Sequence, residues 1–277
     1  MMSRVLRGLG TGITYGVPLV AAALSLMPFV LLLVLSLEHR VLLSGNPLSW
    51  IPTEPTLGTY LEVLTASGFA RWFYNSLVVS VAVTLLVLLL QSLAGYAFAK
   101  KDFPAREGIF ISVLAGMMVP GAVVLIPTFL IARELQMLNT YAGLIVPPVA
   151  GPLGVFLLRQ YIRSIPTEIL YAARIDGAGE FAIYWRIILP LSAPALATLA
   201  IVTFMGQWQS LVWPLLVASD DAMKTLPVGL ASFDAQFSRD YGVQMAGAFL
   251  SVLPLIVAFL FMQRYFVRGL TASAVKG

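Results

Sequence analysis

Charged residues are scarce in this chain, and two of them stand with two glycines in "AARIDGAG", residues 172–179, between two long apolar runs. Arg174 and Asp176 can pair with charges or hydrogen-bonding groups on another surface. Ala172 and Ala173 let that surface come close, and Gly177 and Gly179 permit a sharp turn. This is the chemistry of a contact rather than of a reaction. Elsewhere the chain has a single histidine, His39, and no cysteine. With no metal cluster, no Ser/His/Asp set and no glycine-rich phosphate loop, it is expected to be no enzyme: no catalytic residue, no metal and no bound cofactor.

The elements that present this island must live in lipid. Of 277 residues, 59% are hydrophobic and 11% charged, against roughly 25% charged in soluble domains. Crossing a bilayer takes about 20 mostly apolar residues. Six charge-free stretches are long enough: Gly8–Leu37, Trp72–Ala99, Gly108–Ala132, Leu135–Leu158, Ile187–Ser219 and Tyr241–Gln263. Each must contain a helix, because lipid offers the backbone no hydrogen-bond partner. The fold class is therefore an all-α membrane protein with six transmembrane helices. Its expected spans are 14–37, 73–98, 108–131, 141–158, 192–217 and 243–264, within one domain covering 1–277. Arg4 and Arg7 precede the first run as in a secretory signal, but Val17–Leu37 is too long for a signal's apolar core. With both termini cytoplasmic, 12 of the 17 Lys and Arg residues fall on the inner side, as the positive-inside rule requires. The basic excess is then a topology signal, and no nucleic-acid partner is needed to explain it.

In this topology the outside carries the 34-residue loop Glu38–Arg71 and a second loop near Ala218–Asp240. The inside carries one long loop, 159–190, which holds the island, and a tail, 265–277. Away from their ends the spans contain no ionisable side chain, so the proton relays and charge sensors of self-powered carriers are missing. Energy for moving a cargo must come from elsewhere. Prolines such as Pro120, Pro147, Pro152, Pro214 and Pro254 either kink the spans or break them to line a cavity.

Within the inner loop, Pro166 suits the first turn of a helix, where its missing N–H is no loss. Glu168 follows where the helix dipole favours a negative charge. Residues 167–176 can form a short helix that Gly177 and Gly179 stop. A second helix begins near Glu180, with Phe181, Tyr184, Trp185 and Ile188 on one face. Pro190 and Pro194 then lead into the fifth span. From these residues two readings stand: an interfacial linker with its aromatics in the headgroup layer, or a short helix that docks in a partner's groove.

The same residues resemble the EAA loop of ATP-binding-cassette importer permeases, whose pattern is Glu-Ala-Ala, three residues, Gly, and later Ile-x-Leu-Pro. Ala172, Ala173, Gly177, Ile187 and Leu189-Pro190 occupy those places, and "ARIDGA" matches the form common in carbohydrate permeases. "PTLGTYLEVL" (55–64), "WQSLVWPLLVASDDAMKTLPVGL" (208–230) and the tail "QRYFVRGLTASAVKG" (263–277) resemble the second permease subunit of maltose-type sugar importers. Two positions depart from the pattern. Tyr171 stands where the family places the EAA glutamate, with Glu168 one turn earlier, and Gln209 stands where an asparagine is frequent.

The resemblance implies the type I importer permease architecture and a role for the inner loop. Glu168, Tyr171, Ala172, Ala173, Arg174, Asp176 and Gly177 would form the coupling helix seated in an ATPase subunit. Gln263, Arg264, Arg268 and Gly269 would run along the ATPases. The implied partners are a second permease subunit, two ATPase subunits carrying ATP and Mg, and an extracytoplasmic substrate-binding protein. Together they would work in a bacterial or archaeal cytoplasmic membrane, with this chain as a multi-pass subunit. The cargo is expected to be an oligosaccharide or related sugar. Asn75, Gln207, Trp208, Gln209 and Trp213 are candidates for its pathway, because aromatic faces and amides bind sugars. The alternatives are the same machine importing glycerol phosphate, a glycerophosphodiester or a polyol, and a stand-alone channel or secondary carrier.

Overall fold

A computed structural model describes the backbone of residues 2–38, 51–52, 54–65, 68–236 and 240–274, and the side chains of 16–38, 51–52, 54–65, 68–232 and 240–260. His39 and residues 40–50 of the first long loop lie outside it. Among the described residues every regular element is helical. In chain order they are α1 (Met2–Leu35), α2 (Gly58–Thr65), α3 (Phe69–Lys100), α4 (Arg106–Met118), α5 (Gly121–Glu134), α6 (Tyr141–Val149) and α7 (Leu153–Arg163). There follow α8 (Thr167–Ile175), α9 (Glu180–Leu191), α10 (Ala193–Trp208), α11 (Val212–Val217), α12 (Leu226–Gln236) and α13 (Tyr241–Ala274).

Three stretches are continuous, long and apolar enough to cross a membrane: Gly16–Leu35 in α1, all of α3, and Tyr241–Leu260 in α13. The third and fourth expected spans are each bent at a break, and a further bend falls where the inner loop meets the fifth. α4 meets α5 at 102°, α6 meets α7 at 44°, and α9 meets α10 at 75°. Proline accounts for each. Val119 is extended (φ −82°, ψ 119°) ahead of Pro120, the conformation that a following proline imposes. At the second break Pro152 has no N–H to continue the ladder. The Gln91 amide donates to carbonyls at this break, those of Val149 at 2.9 Å and Gly151 at 2.6 Å. At the third, Pro194 sits in the first turn of α10. Within the fifth expected span, 192–217, α10 stops at Trp208 and the chain restarts as α11 with Pro214 in its first turn. Pro18, Pro28 and Pro254 lie inside uninterrupted helices.

The chain divides into two compact units. In the first, Met1–Phe69 with Leu230–Leu253, α2 is tied to the end of α1. The Thr59 hydroxyl donates to the Ser36 carbonyl at 2.5 Å, and the Tyr60 and Ser36 hydroxyls share a hydrogen bond at 2.5 Å. The Tyr60 ring also meets Phe249 edge-on at 6.3 Å.

The second unit, Ala70–Gly229 with Pro254–Gly277, holds the larger core. Val83, Leu144, Leu158, Ile162, Leu170, Ile183, Tyr184, Ile188 and Leu199 are buried there. α3 and α7 cross with their backbones close. A Cβ on Gly95 would lie 2.9 Å from Leu158 Cβ and 3.1 Å from Arg159 N. Apolar side chains elsewhere are widely exposed, among them Met118, Val123, Ile126 and Ile131 on α4 and α5 and Leu19 and Leu24 on α1. Apolar surface on this scale requires lipid or another protein against it.

Candidate functional site

The island forms the helix α8 and the turn that ends it. Pro166 immediately precedes α8, and Glu168 lies in its first turn, where the dipole favours a carboxylate. At the other end the Ala178 amide donates to the Ala173 carbonyl at 2.9 Å, and the Gly177 amide to the Arg174 carbonyl at 3.0 Å. These are the paired bonds of a Schellman cap. Gly177 stands at φ +81°, in the left-handed region that any side chain with a Cβ strains. Gly179 differs from expectation. It is extended (φ −72°, ψ 163°) and precedes α9, so Gly177 alone ends α8.

Leu170 and Ala173, three residues apart, turn inward and join the core. Glu168, Tyr171, Ala172, Arg174, Asp176 and Gly177 remain exposed. Ala173 is thereby spent on seating α8 against its own chain, and of the alanine pair only Ala172 is open to another surface. Two apolar residues beside the turn are the most exposed of the loop: Ile175 at 87% and Phe181 at 79%. Sequence reading missed Ile175. The available signal was that it falls off the Leu170–Ala173 stripe.

The apolar face assigned to α9 is split. Tyr184 and Ile188 are buried with Ile183, whereas Phe181 and Trp185 are exposed. The inward stripe is centred one residue away from the expected one because Tyr184 is anchored to α3. Its hydroxyl shares a hydrogen bond with Ser92 at 2.6 Å, and its ring packs 5.8 Å from that of Tyr96. Over Tyr184–Ile188 the helix widens to a π turn, with the Leu189 amide bonded to the Tyr184 carbonyl.

Glu180, the first residue of α9, collects cations and a hydroxyl. Its carboxylate accepts from the Tyr96 hydroxyl at 3.0 Å and from Arg174 at 3.2 Å, and pairs with the Lys101 ammonium. The Lys101 hydrogen bond holds Glu180 below the usual carboxylate range. Lys100 binds the end of α7 and the approach to α8, through the carbonyls of Ile165 at 2.5 Å and Arg163 at 3.4 Å. Arg159, buried on α7, donates to Glu107 at 2.5 Å and to the Phe98 carbonyl at 3.2 Å, and lies 3.8 Å over the Phe110 ring. Sequence reading counted these residues only as charges on the inner side. The signal for a common role is that Lys100 and Lys101 cluster where α3 ends, and Arg159 and Arg163 in the last turns of α7.

The five pathway candidates separate. Asn75 is fully buried. Its Nδ2 donates to the carbonyls of Ala222 at 3.0 Å and Lys224 at 2.8 Å, and its Oδ1 accepts from the Tyr141 hydroxyl at 2.7 Å. Trp208 is buried between Phe73, at 5.4 Å, and Phe204, at 5.9 Å. The Trp213 indole N–H donates to the Gly143 carbonyl at 3.0 Å. These three side chains hold the fold together. Gln207 is half-buried and Gln209 exposed. The side chains of Gln263, Arg264, Arg268 and Gly269 lie outside the described residues, although the α13 backbone continues to Ala274.

Comparison with known proteins follows the same lines. Residues 91–272 match the family described as binding-protein-dependent transport system inner membrane component. The chain is 37% identical over 259 residues to the arabinooligosaccharides transport system permease protein AraQ of Halalkalibacterium halodurans, covering 92% of this chain and 93% of that protein. It is 33% identical over 279 residues to the lactose transport system permease protein LacG of Rhizobium radiobacter, covering 99% of each. A crystal structure of a bacterial ABC transporter involved in import of the polysaccharide alginate shares the fold, with a TM-score of 0.82 at 22% identity over 96% of this chain and 98% of that one.

Proposed function

We propose a role for this chain, which belongs to the family of binding-protein-dependent transport system inner membrane components, as the permease subunit through which an ATP-driven importer moves sugars. The observation that carries the reading is α8. It is a short exposed helix, seated from below by Leu170 and Ala173 and closed by the Gly177 cap, with Ile175 and Phe181 bare beside its turn. Such an apolar knob with a polar rim suits a groove on a partner protein. In this reading the partner is an ATPase subunit. Closure of two ATPases around ATP and Mg pushes α8, and the push shifts the spans between inward- and outward-facing states.

The topology that accompanies this role is six spans in a bacterial or archaeal cytoplasmic membrane, with both termini and the loop 159–190 inside. The bent pairs then contribute one span each, which in the third pair is α10, with α9 on the inner side. A second permease subunit completes the pathway, and a substrate-binding protein delivers cargo from outside. ATP hydrolysis belongs to the ATPase subunits.

A carbohydrate cargo is supported by relatives named for arabino-oligosaccharides and lactose. Spans without cationic side chains away from their ends also favour a neutral cargo over a glycerol phosphate. On this chain Gln207 and Gln209 are the pathway residues retained. The test is uptake into proteoliposomes holding this chain, its permease partner, two ATPases and the binding protein. Uptake of labelled oligosaccharide should require ATP and binding protein together. Uptake by this chain alone, without ATP, overturns the reading.

A further inference from the structure

The carboxylate of Glu180 joins α8, α9 and the end of α3, beside two other polar links among them: Lys100 to the Thr167 hydroxyl at 3.3 Å and Ser92 to the Tyr184 hydroxyl at 2.6 Å. Its Oε1 accepts from Arg174, in the last turn of α8, at 3.2 Å. Its Oε2 accepts from the hydroxyl of Tyr96, on α3, at 3.0 Å and pairs with Lys101, the residue after α3 ends. The Lys101 ammonium also lies 5.2 Å over the Tyr96 ring, and Tyr96 is buried against Tyr184. The carboxylate therefore has one oxygen on the short loop helix and the other on the end of a long apolar helix.

The two kinds of joint behave differently under load. Leu170 and Ala173 seat α8 by apolar burial, which is non-directional and lets one surface slide over the other. Charge-assisted hydrogen bonds fix angle as well as distance. α8 can be pressed onto the core by its apolar side alone, but moving α3 along with it calls for directional links. Of the two present, the Arg174–Glu180–Tyr96 bridge grips the last turn of α8, whereas Lys100 reaches only its first residue, Thr167.

We propose that Glu180 is a positioning residue that transmits displacement of α8 to α3. The inference rests on the reading of α8 as the coupling helix. Glu180 is half-exposed, and pairs of that kind contribute little to stability. Its removal is therefore expected to spare assembly and to act on the coupling between hydrolysis and transport.

The native chain contains no cysteine, which permits a clean test in the full complex. Sugar taken up per ATP hydrolysed is measured in proteoliposomes for the native complex, for Glu180→Gln, and for a Lys101→Cys, Glu180→Cys pair. The pair is bridged by a bis-methanethiosulfonate linker that reduction removes. Glu180→Gln should keep ATPase docking and hydrolysis but lower the sugar-to-ATP ratio about tenfold, a loss within the range of coupling between two sites. The bridged pair should regain most of the native ratio and lose it again on reduction. A native ratio for Glu180→Gln, or a bridged pair no better coupled than the reduced one, overturns the proposal. A native complex that transports sugar without hydrolysis overturns the coupling reading itself, and this proposal with it.

Discussion

The indole N–H of Trp213 donates to the Gly143 carbonyl at 3.0 Å, the acceptor that residue 147 would serve in an ordinary helix. Residue 147 is proline, which has no amide hydrogen. A side chain from α11 thus supplies the hydrogen bond that α6 cannot make for itself.

Trp213→Phe should therefore destabilise the chain by about 1–3 kcal/mol, the cost of leaving a buried carbonyl unsatisfied. Adding Pro147→Ala returns an N–H to that carbonyl and should recover part of the loss. Thermal unfolding of the four variants in detergent measures the coupling. Strictly additive effects would contradict the assignment.

Asn75→Ala removes three hydrogen bonds from a fully buried amide. The unfolding midpoint should fall, by an amount corresponding to about 2 kcal/mol or more. Sugar affinity of uptake in the surviving complex should stay unchanged, because the amide serves the fold. A shift in sugar preference without a shift in stability would return Asn75 to the pathway.

Much of this arrangement was legible before any coordinates, for identifiable reasons. Apolar runs uninterrupted by charge mark helices in lipid, and Pro166, Glu168 and Gly177 each carry a local preference that α8 obeys. What stayed hidden depends on partners distant in sequence. Pro120 is followed by Gly121, a turn signal that Pro254 lacks, but neither residue specifies that the chain turns through 102° at the one and runs on inside a helix at the other. Carbonyls left open where a helix breaks are served by a residue far away in sequence, as Gln91 serves Val149 and Gly151. The amide of Asn75 and the indole of Trp213 suited sugar binding by type, and tertiary structure engages both in the fold.

Glu107→Gln leaves the Arg159 guanidinium buried without its carboxylate, next to Phe110. The cost should be about 1–2 kcal/mol, below that of a wholly buried pair because Glu107 is half-exposed. Chemical denaturation of the purified subunit reads it. No change in the midpoint would show that water already satisfies Arg159.

A series at Gly177 grades the cap. Asn tolerates the left-handed region better than other side chains, so Gly177→Asn should lower ATP-driven uptake modestly. Gly177→Leu adds about 1–2 kcal/mol of backbone strain at φ +81° and should abolish uptake while the chain remains in the membrane. Full ATPase docking and uptake in Gly177→Leu would contradict the role given to the turn.

In the proposed function, force from a separate ATPase enters this subunit through α8. Placing the sole cysteine at Ile175, which is 87% exposed, and cross-linking it in the assembled complex tests that claim most directly. A cross-link to the ATPase is expected, with a yield that changes when nucleotide is trapped, and free Ile175→Cys should be labelled only from the cytoplasmic side. Labelling from the outside, or a complex that transports sugar normally with no ATPase within reach of residue 175, would contradict it.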